Sequence, residues 1–179
     1  MSNDYVIIDP GPDDADEIGH VHVLVWQQAY AGLMPPEYLA ALDPDQRAAQ
    51  WRGRFRRAAG GRAGVDEAAD PTQSPRTRAA RHRASGELVG IATAGPARDV
   101  DPPLPHELWM LNVLASHHGS GVAGLLVDAT LGDEPAYLWV LTGNERAQAF
   151  YRRLGFVADG VTKALEETGV ELRMVRHGG

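Results

Sequence analysis

The sequence predicts an α/β chain, and three observations predict it. The stretch from His106 to Phe156 reads strand, glycine loop, helix, strand, helix. Two hairpin signals flank it, one across Ala84-Ser85-Gly86-Glu87 and one across Glu166-Glu167-Thr168-Gly169. The N-terminal third carries apolar residues at helical spacing.

Each element follows in order. Tyr5 to Ile8 is a short strand, stopped by the turn signal Asp9-Pro10-Gly11-Pro12. Asp13 or Asp14 caps a helix with an acidic first turn, which the helix dipole favours. That helix runs to about Tyr30 and buries Ile18, Val21, Val25 and Ala29, with Trp26 beside them. Gly32 and Pro35-Pro36 end it. A second helical stretch covers Glu37 to Leu42, and Asp43 caps a third that reaches about Ala59. Gly60 to Arg76 lacks periodicity and reads as a mobile loop within one domain spanning residues 1–179. Thr77 to Arg83 and Leu88 to Ala94 form the first hairpin, with Arg76, Arg78, Arg81 and Arg83 on one solvated side. The central strand is Glu107 to Ala115. The helix after the glycine loop presents Val122, Leu125, Leu126 and Ala129 to the core, and Ala136 to Leu141 is the next strand. Val157 to Ala164 and Val170 to Val175 form the last hairpin.

Composition narrows the function classes. The 179 residues are 44% hydrophobic, as expected of a soluble domain with a sizeable core. A net charge of −7 with no basic stripe speaks against nucleic acid and suits a cationic small-molecule substrate better than an anionic one. Cysteine is absent, which removes disulfides, thiol nucleophiles and cysteine metal sites. No run has membrane-spanning length and no leader is legible, so no membrane partner and a cytoplasmic location are expected. His117-His118 has no third ligand at a recognisable spacing, so no metal is expected.

The chemistry concentrates in His117-His118-Gly119-Ser120-Gly121-Val122-Ala123. Glycines let the backbone turn sharply and approach a ligand. The helix start behind them offers unpaired N–H groups and a positive dipole end, together a phosphate seat. Gly119, Gly121 and Gly124 also spell the dinucleotide fingerprint G-x-G-x-x-G. Its context fails: the loop comes late, one strand-helix unit follows, and the next strand ends in Thr142-Gly143-Asn144 without a ribose-binding carboxylate.

His118-Gly119-Ser120-Gly121-Val122-Ala123 resembles the [QR]-x-x-G-x-[GA] acyl-CoA loop of the GNAT (GCN5-related N-acetyltransferase) superfamily, with histidine in place of the usual Gln or Arg. Asn144-Glu145-Arg146-Ala147-Gln148-Ala149-Phe150-Tyr151-Arg152-Arg153-Leu154-Gly155-Phe156 resembles that family's N-x-x-A-x-x-F-Y-x-x-x-G-F signature. The resemblance covers Glu107 to Gly160 closely and the N-terminal half loosely. It implies a mixed, mostly antiparallel sheet of six to seven strands flanked by helices. It further implies acetyl-CoA as co-substrate, a primary amine as acceptor, direct transfer without a covalent enzyme intermediate, and a possible homodimer. Leu111, Val113, His118, Gly119, Ser120, Gly121, Val122, Ala123, Asn144 and Tyr151 are then the expected cofactor contacts. The segment from Trp26 to Pro35 is similar to the family's first-helix region, which walls the acceptor site, so Trp26 and Tyr30 are expected there.

Acyl transfer needs a donor for the developing oxyanion, an acid for the leaving thiolate and a neutral amine. A backbone N–H near Val113 in a splayed strand supplies the first. Tyr151 is the expected acid. Its ordinary pKa of ~10 lies above a thiol's ~8.5, so full proton transfer costs roughly 2 kcal/mol and hydrogen bonding to the thiolate is the better role. Glu107 is the expected base, with Asp99, Asp101 and His106 as competitors. Structural alternatives stand beside each assignment: Tyr151, Trp26, Tyr30 and Trp51 as core, Asn144 as a helix N-cap, Glu107 as a strand-end residue, and Arg146, Arg152 and Arg153 as solvated charge. The rival class is a protein of the same fold that binds CoA as a sensor and transfers nothing.

Overall fold

The computed structural model describes residues 4–62, 74–165 and 169–178. Its strands are β1 (Tyr5–Ile8), β2 (Arg76–His82), β3 (Leu88–Pro96), β4 (His106–Val113), β5 (Ala136–Leu141), β6 (Val157–Leu165) and β7 (Gly169–Arg176). They form one sheet in the order β1-β2-β3-β4-β5-β7-β6. Only β4 and β5 run parallel; the other neighbours are antiparallel. The mixed, mostly antiparallel sheet is thus present, and the dinucleotide alternative, which needs a doubly wound parallel sheet, is excluded.

The helices are α1 (Ala15–Ala29), α2 (Pro36–Ala40), α3 (Pro44–Arg62), α4 (Val122–Leu131) and α5 (Glu145–Arg153). Among the described residues none is long and apolar enough to cross a membrane. Helix α4 lies on the sheet where Gly90 leaves room: a Cβ there would stand 3.1 Å from Leu126 and 2.9 Å from the Asn112 carbonyl. Helices α1 and α3 cross at Gly19, whose missing Cβ would meet the Pro44 carbonyl at 2.5 Å and the Ala48 nitrogen at 2.6 Å. Any side chain at either glycine forces these elements apart.

Three expectations change. Helix α4 buries Val122, Leu126, Val127, Thr130 and Leu131, while Leu125 is exposed, so the buried face is rotated from the predicted one. The β2 arginines are not a row on one side, because Arg78 and Arg81 are three residues apart and period-two alternation sends them to opposite faces, the extra residue at the nearby register shift being Val89 of β3. Arg76 pairs with Glu134, Arg78 with Asp9, and Arg81 with Asp14 and Glu17. Their charge is neutralised within the chain. Helix α3 extends to Arg62 and β2 begins at Arg76, so most of the expected loop, residues 63–73, lies outside the described residues, as does most of the final turn, residues 166–168.

His22 on α1 is buried and stacks on Trp26 at 5.3 Å, and neither ring nitrogen has a hydrogen-bond partner. Burial, helped by the Arg47 and Arg54 charges, lowers its pKa to about 4. The unfolded chain therefore binds a proton near pH 6.5 that the folded chain refuses until about pH 4. Stability from this residue is complete above pH 6.5 and is lost as pH falls toward 4, by about 3 kcal/mol. Chemical denaturation across that range should show a steeper loss for the wild type than for His22→Leu. Equal slopes would refute the assignment.

Candidate active site

The site begins where β4 and β5 part. They pair at His106 with Ala136 and Glu107 with Tyr137, and no further. The cause lies on the other edge of β4. There Ala94 pairs with Leu108 and Thr93 with Met110, leaving Trp109 as an extra residue. Such a bulge bends its strand and swings its end away from the neighbour. The Leu114 N–H donates to the Val89 carbonyl at 2.9 Å. Successive N–H groups of an extended strand point to opposite edges, so those of Val113 and Leu111 face the open side. The resulting cleft encloses about 720 Å³, the size of a small-molecule site.

The glycine loop closes one end of the cleft. Gly119 and Gly121 have φ of 78° and 92°, and space is open where a Cβ would stand on Gly119, Gly121 or Gly124. Ser120 turns its hydroxyl back to the His117 carbonyl at 2.7 Å. Gly121 caps α4 in a left-handed conformation, and Val122, fully buried, anchors the helix. The first-turn N–H groups of Ala123 and Gly124 have no acceptor within the helix, and both residues line the cleft. A glycine-faced helix start is a fitting seat for a pyrophosphate.

His118 takes a role that its place in the motif did not reveal. Its Nε2 donates to the Val113 carbonyl at 3.0 Å, and the Arg146 guanidinium reaches Nδ1. A carbonyl only accepts and a guanidinium only donates, so the ring is neutral with its proton on Nε2. Burial and the Arg146 charge agree, holding its pKa below the ordinary range. The histidine ties the loop to the strand residue whose N–H faces the cleft. Arg146 is therefore part of this link.

Asn144 caps α5 by accepting from the Ala147 N–H at 3.1 Å, and this places the helix against the cleft. Tyr151, two turns along, is 9% exposed and packs edge-on to Phe150 and Phe156 while lining the cleft. Burial, and secondarily Tyr30, pushes its hydroxyl above the ordinary tyrosine range. It keeps its proton at neutral pH. Trp26 and Tyr30 line the cleft and meet edge-on at 5.2 Å, whereas Trp51 is 3% exposed and stacks on Phe55 in the core. Sequence reasoning missed Asn112, a 5% exposed residue of the cleft lining whose buried Nδ2 has no hydrogen-bond partner. In an apolar run it gave no signal beyond its polarity.

Glu107 stands apart from this group. Its side chain is 2% exposed and is held by Arg98 through the backbone N–H at 3.1 Å, Nε at 3.1 Å and a terminal nitrogen at 2.5 Å. The Tyr137 hydroxyl adds a bond at 3.2 Å, and its own pKa is pushed up to about 12 by burial and the adjacent carboxylates. Three of these bonds fall on Oε2 of Glu107 and one on Oε1. Of the competing groups, Asp99 accepts from Trp139 Nε1 at 3.0 Å, and His106 lies 3.3 Å from Glu134.

Residues 78–158 match the family model described as an acetyltransferase (GNAT) domain. The chain is 31% identical over 156 residues to an uncharacterized N-acetyltransferase of Mycobacterium tuberculosis, covering 82% of this chain and 85% of that protein. In structure it resembles the PaiA N-acetyltransferase of Thermoplasma acidophilum in complex with coenzyme A, with a TM-score of 0.66 at 16% identity over 97% of this chain and 98% of the other. It also resembles the ribosomal-protein-S5-alanine acetyltransferase of Vibrio fischeri, with a TM-score of 0.68 at 12% identity over 99% and 95%. Sequence kinship over most of both chains, joined to the splayed strands and the glycine-faced helix, places this chain in the GNAT superfamily of acetyl-CoA-dependent acetyltransferases.

Proposed function

We propose that the protein transfers the acetyl group of acetyl-CoA to a primary amine of a small cationic acceptor by direct attack. The carrying observation is the splayed β4–β5 edge, with Leu111, Val113 and Tyr151 lining one cleft. Gly119 to Ala123 and the start of α4 receive the pyrophosphate, and β4 from Leu111 to Val113 pairs with the pantetheine arm. The strand N–H groups stabilise the charge that develops on the thioester oxygen, a contribution of several kcal/mol when preorganised. Tyr151 donates a hydrogen bond to the departing thiolate. The amine's C–N bond forms as the C–S bond breaks. The amine sheds its proton to water in the cleft, and the thiolate gains one.

Glu107 is assigned a positioning role. Its bonds to Arg98 and Tyr137 fix the segment after β3, and Arg98 in turn lies 4.9 Å over the Trp109 ring at the cleft wall. Thermal melts with acetyl-CoA, CoA and NADH test the donor. Ligand at ~100 times Kd stabilises by about 2.7 kcal/mol, or roughly 5–10 °C for a chain of this size. A rise with both CoA species and none with NADH is expected. Absence of a CoA response would remove the reading. A CoA response without turnover of any amine in a panel would favour the sensor alternative.

A further inference from the structure

Lys163 is the sole lysine among the 17 Lys and Arg residues of the sequence. Its ammonium lies 4.0 Å from the Trp139 ring centroid and 3.2 Å from the Glu171 carboxylate. Trp139 is fixed in that pose by the bond from Nε1 to Asp99. Cross-strand pairing puts the group on one sheet face: Lys163 opposes Glu171, Glu171 opposes Leu141, and Trp139 is two residues before Leu141. Glu171 and Trp139 both line the cleft, and Glu171 is the single carboxylate among the described residues that do. Arg173 also approaches Trp139, at 5.7 Å, but its guanidinium is tied to Asp159 at 2.7 Å. Tyr30 also lines the cleft, and burial first, with the Glu171 charge second, raises the pKa of its hydroxyl.

We propose that Glu171 and Trp139 form the ammonium seat of the acceptor site, that Lys163 fills this seat when no acceptor is bound, and that an amine binds by displacing it. This deepens the amine-acetyltransferase reading and rests on it. Charge argues for exchange over addition. A second ammonium beside one carboxylate leaves one cation unpaired, whereas replacing one ammonium by another keeps the seat neutral. The occupant is suited to leaving. Its side chain is 39% exposed and that of Glu171 21%, and exposed pairs of this kind hold weakly. Lysine also presents the same compact point charge as a primary amine, which the planar fork of arginine does not. The aromatic face selects a cation, and the carboxylate fixes where its charge rests.

The sole lysine is also the reporter. Reductive methylation with ¹³C-formaldehyde keeps its charge and gives one lysine resonance, assigned by its absence in Lys163→Met. In the wild type this signal should be displaced upfield by the Trp139 ring. It should move to the free-lysine position, saturably, on titration with tyramine, butylamine or spermidine, and not with 4-ethylphenol or butanol. In Glu171→Gln it should start near the free position and ignore the amines. A resonance that starts at the free position in the wild type, or that none of the three amines moves, overturns the proposal. The melts with CoA separate the two failures: a CoA response with an unmoved lysine sinks the displacement alone, and no CoA response sinks the transferase reading beneath it.

Discussion

Replacement of Tyr151 by phenylalanine should lower kcat by roughly 10²–10⁴-fold, the usual worth of a positioned proton donor, while leaving the KM for acetyl-CoA within a few-fold. The ring packs against Phe150 and Phe156, and phenylalanine preserves those contacts. The substitution therefore removes the hydroxyl and little else, and the melting temperature should stay within a few degrees. The hydroxyl is held above the ordinary tyrosine range by burial. It cannot be the group that titrates in a pH–rate profile between pH 6 and 10, so the wild-type profile should show no limb that Tyr151→Phe removes. Steady-state kinetics with the best amine of a panel, at saturating acetyl-CoA, decides the matter. A variant with near-normal kcat would make Tyr151 a core residue at the cleft edge and leave the thiolate to be protonated by water. A kcat loss matched by an equal rise in the acetyl-CoA KM would point instead to a binding role.

The sequence carried the elements and concealed how they meet. The ends of strands β1 and β5 were readable to the residue because each apolar run stops in turn chemistry, Asp9-Pro10-Gly11-Pro12 in one case and Thr142-Gly143-Asn144 in the other. The α5 start was readable because Asn144 is a cap by residue type. The exposed Leu125 shows the converse. In a short, almost wholly apolar helix the moment is small, and tertiary packing, not pattern, chooses the buried face. Within the site, local motifs gave His118, Gly119, Gly121 and Tyr151, but pairings across the chain left no trace. Nothing at positions 98 and 107, or 163 and 171, says that these side chains touch. The bulge at Trp109 that opens the cleft was equally silent, since an extra residue in one strand is visible only against its partner.

The same hidden pairing gives the second large effect. Glu107→Gln should destabilise the protein and spare its chemistry, the reverse of what a general base would show. The carboxylate is 2% exposed and receives three bonds from Arg98 and one from Tyr137. An amide cannot accept at both positions, because its NH₂ group would face donors. Arg98→Met is the sharper test of the clamp, since it leaves the carboxylate charged and buried with only the backbone N–H and the tyrosine hydroxyl. Stranding a buried charge costs about 3–5 kcal/mol, and the partial exposure of Arg98 places the expectation at the lower end, about 3 kcal/mol. At this chain length that is roughly 6–12 °C in Tm. The double variant should lose less than the sum of the two, because each change removes the reason the other is costly. For turnover, Glu107→Gln should keep kcat within a few-fold and leave the acidic limb of the pH profile in place, with any loss appearing in the amine KM through the Trp109 wall. A kcat fall of 10² or more with an unchanged Tm, accompanied by loss of that limb, would return Glu107 to the role of base. That result would require the Arg98 bonds to open whenever the acceptor binds.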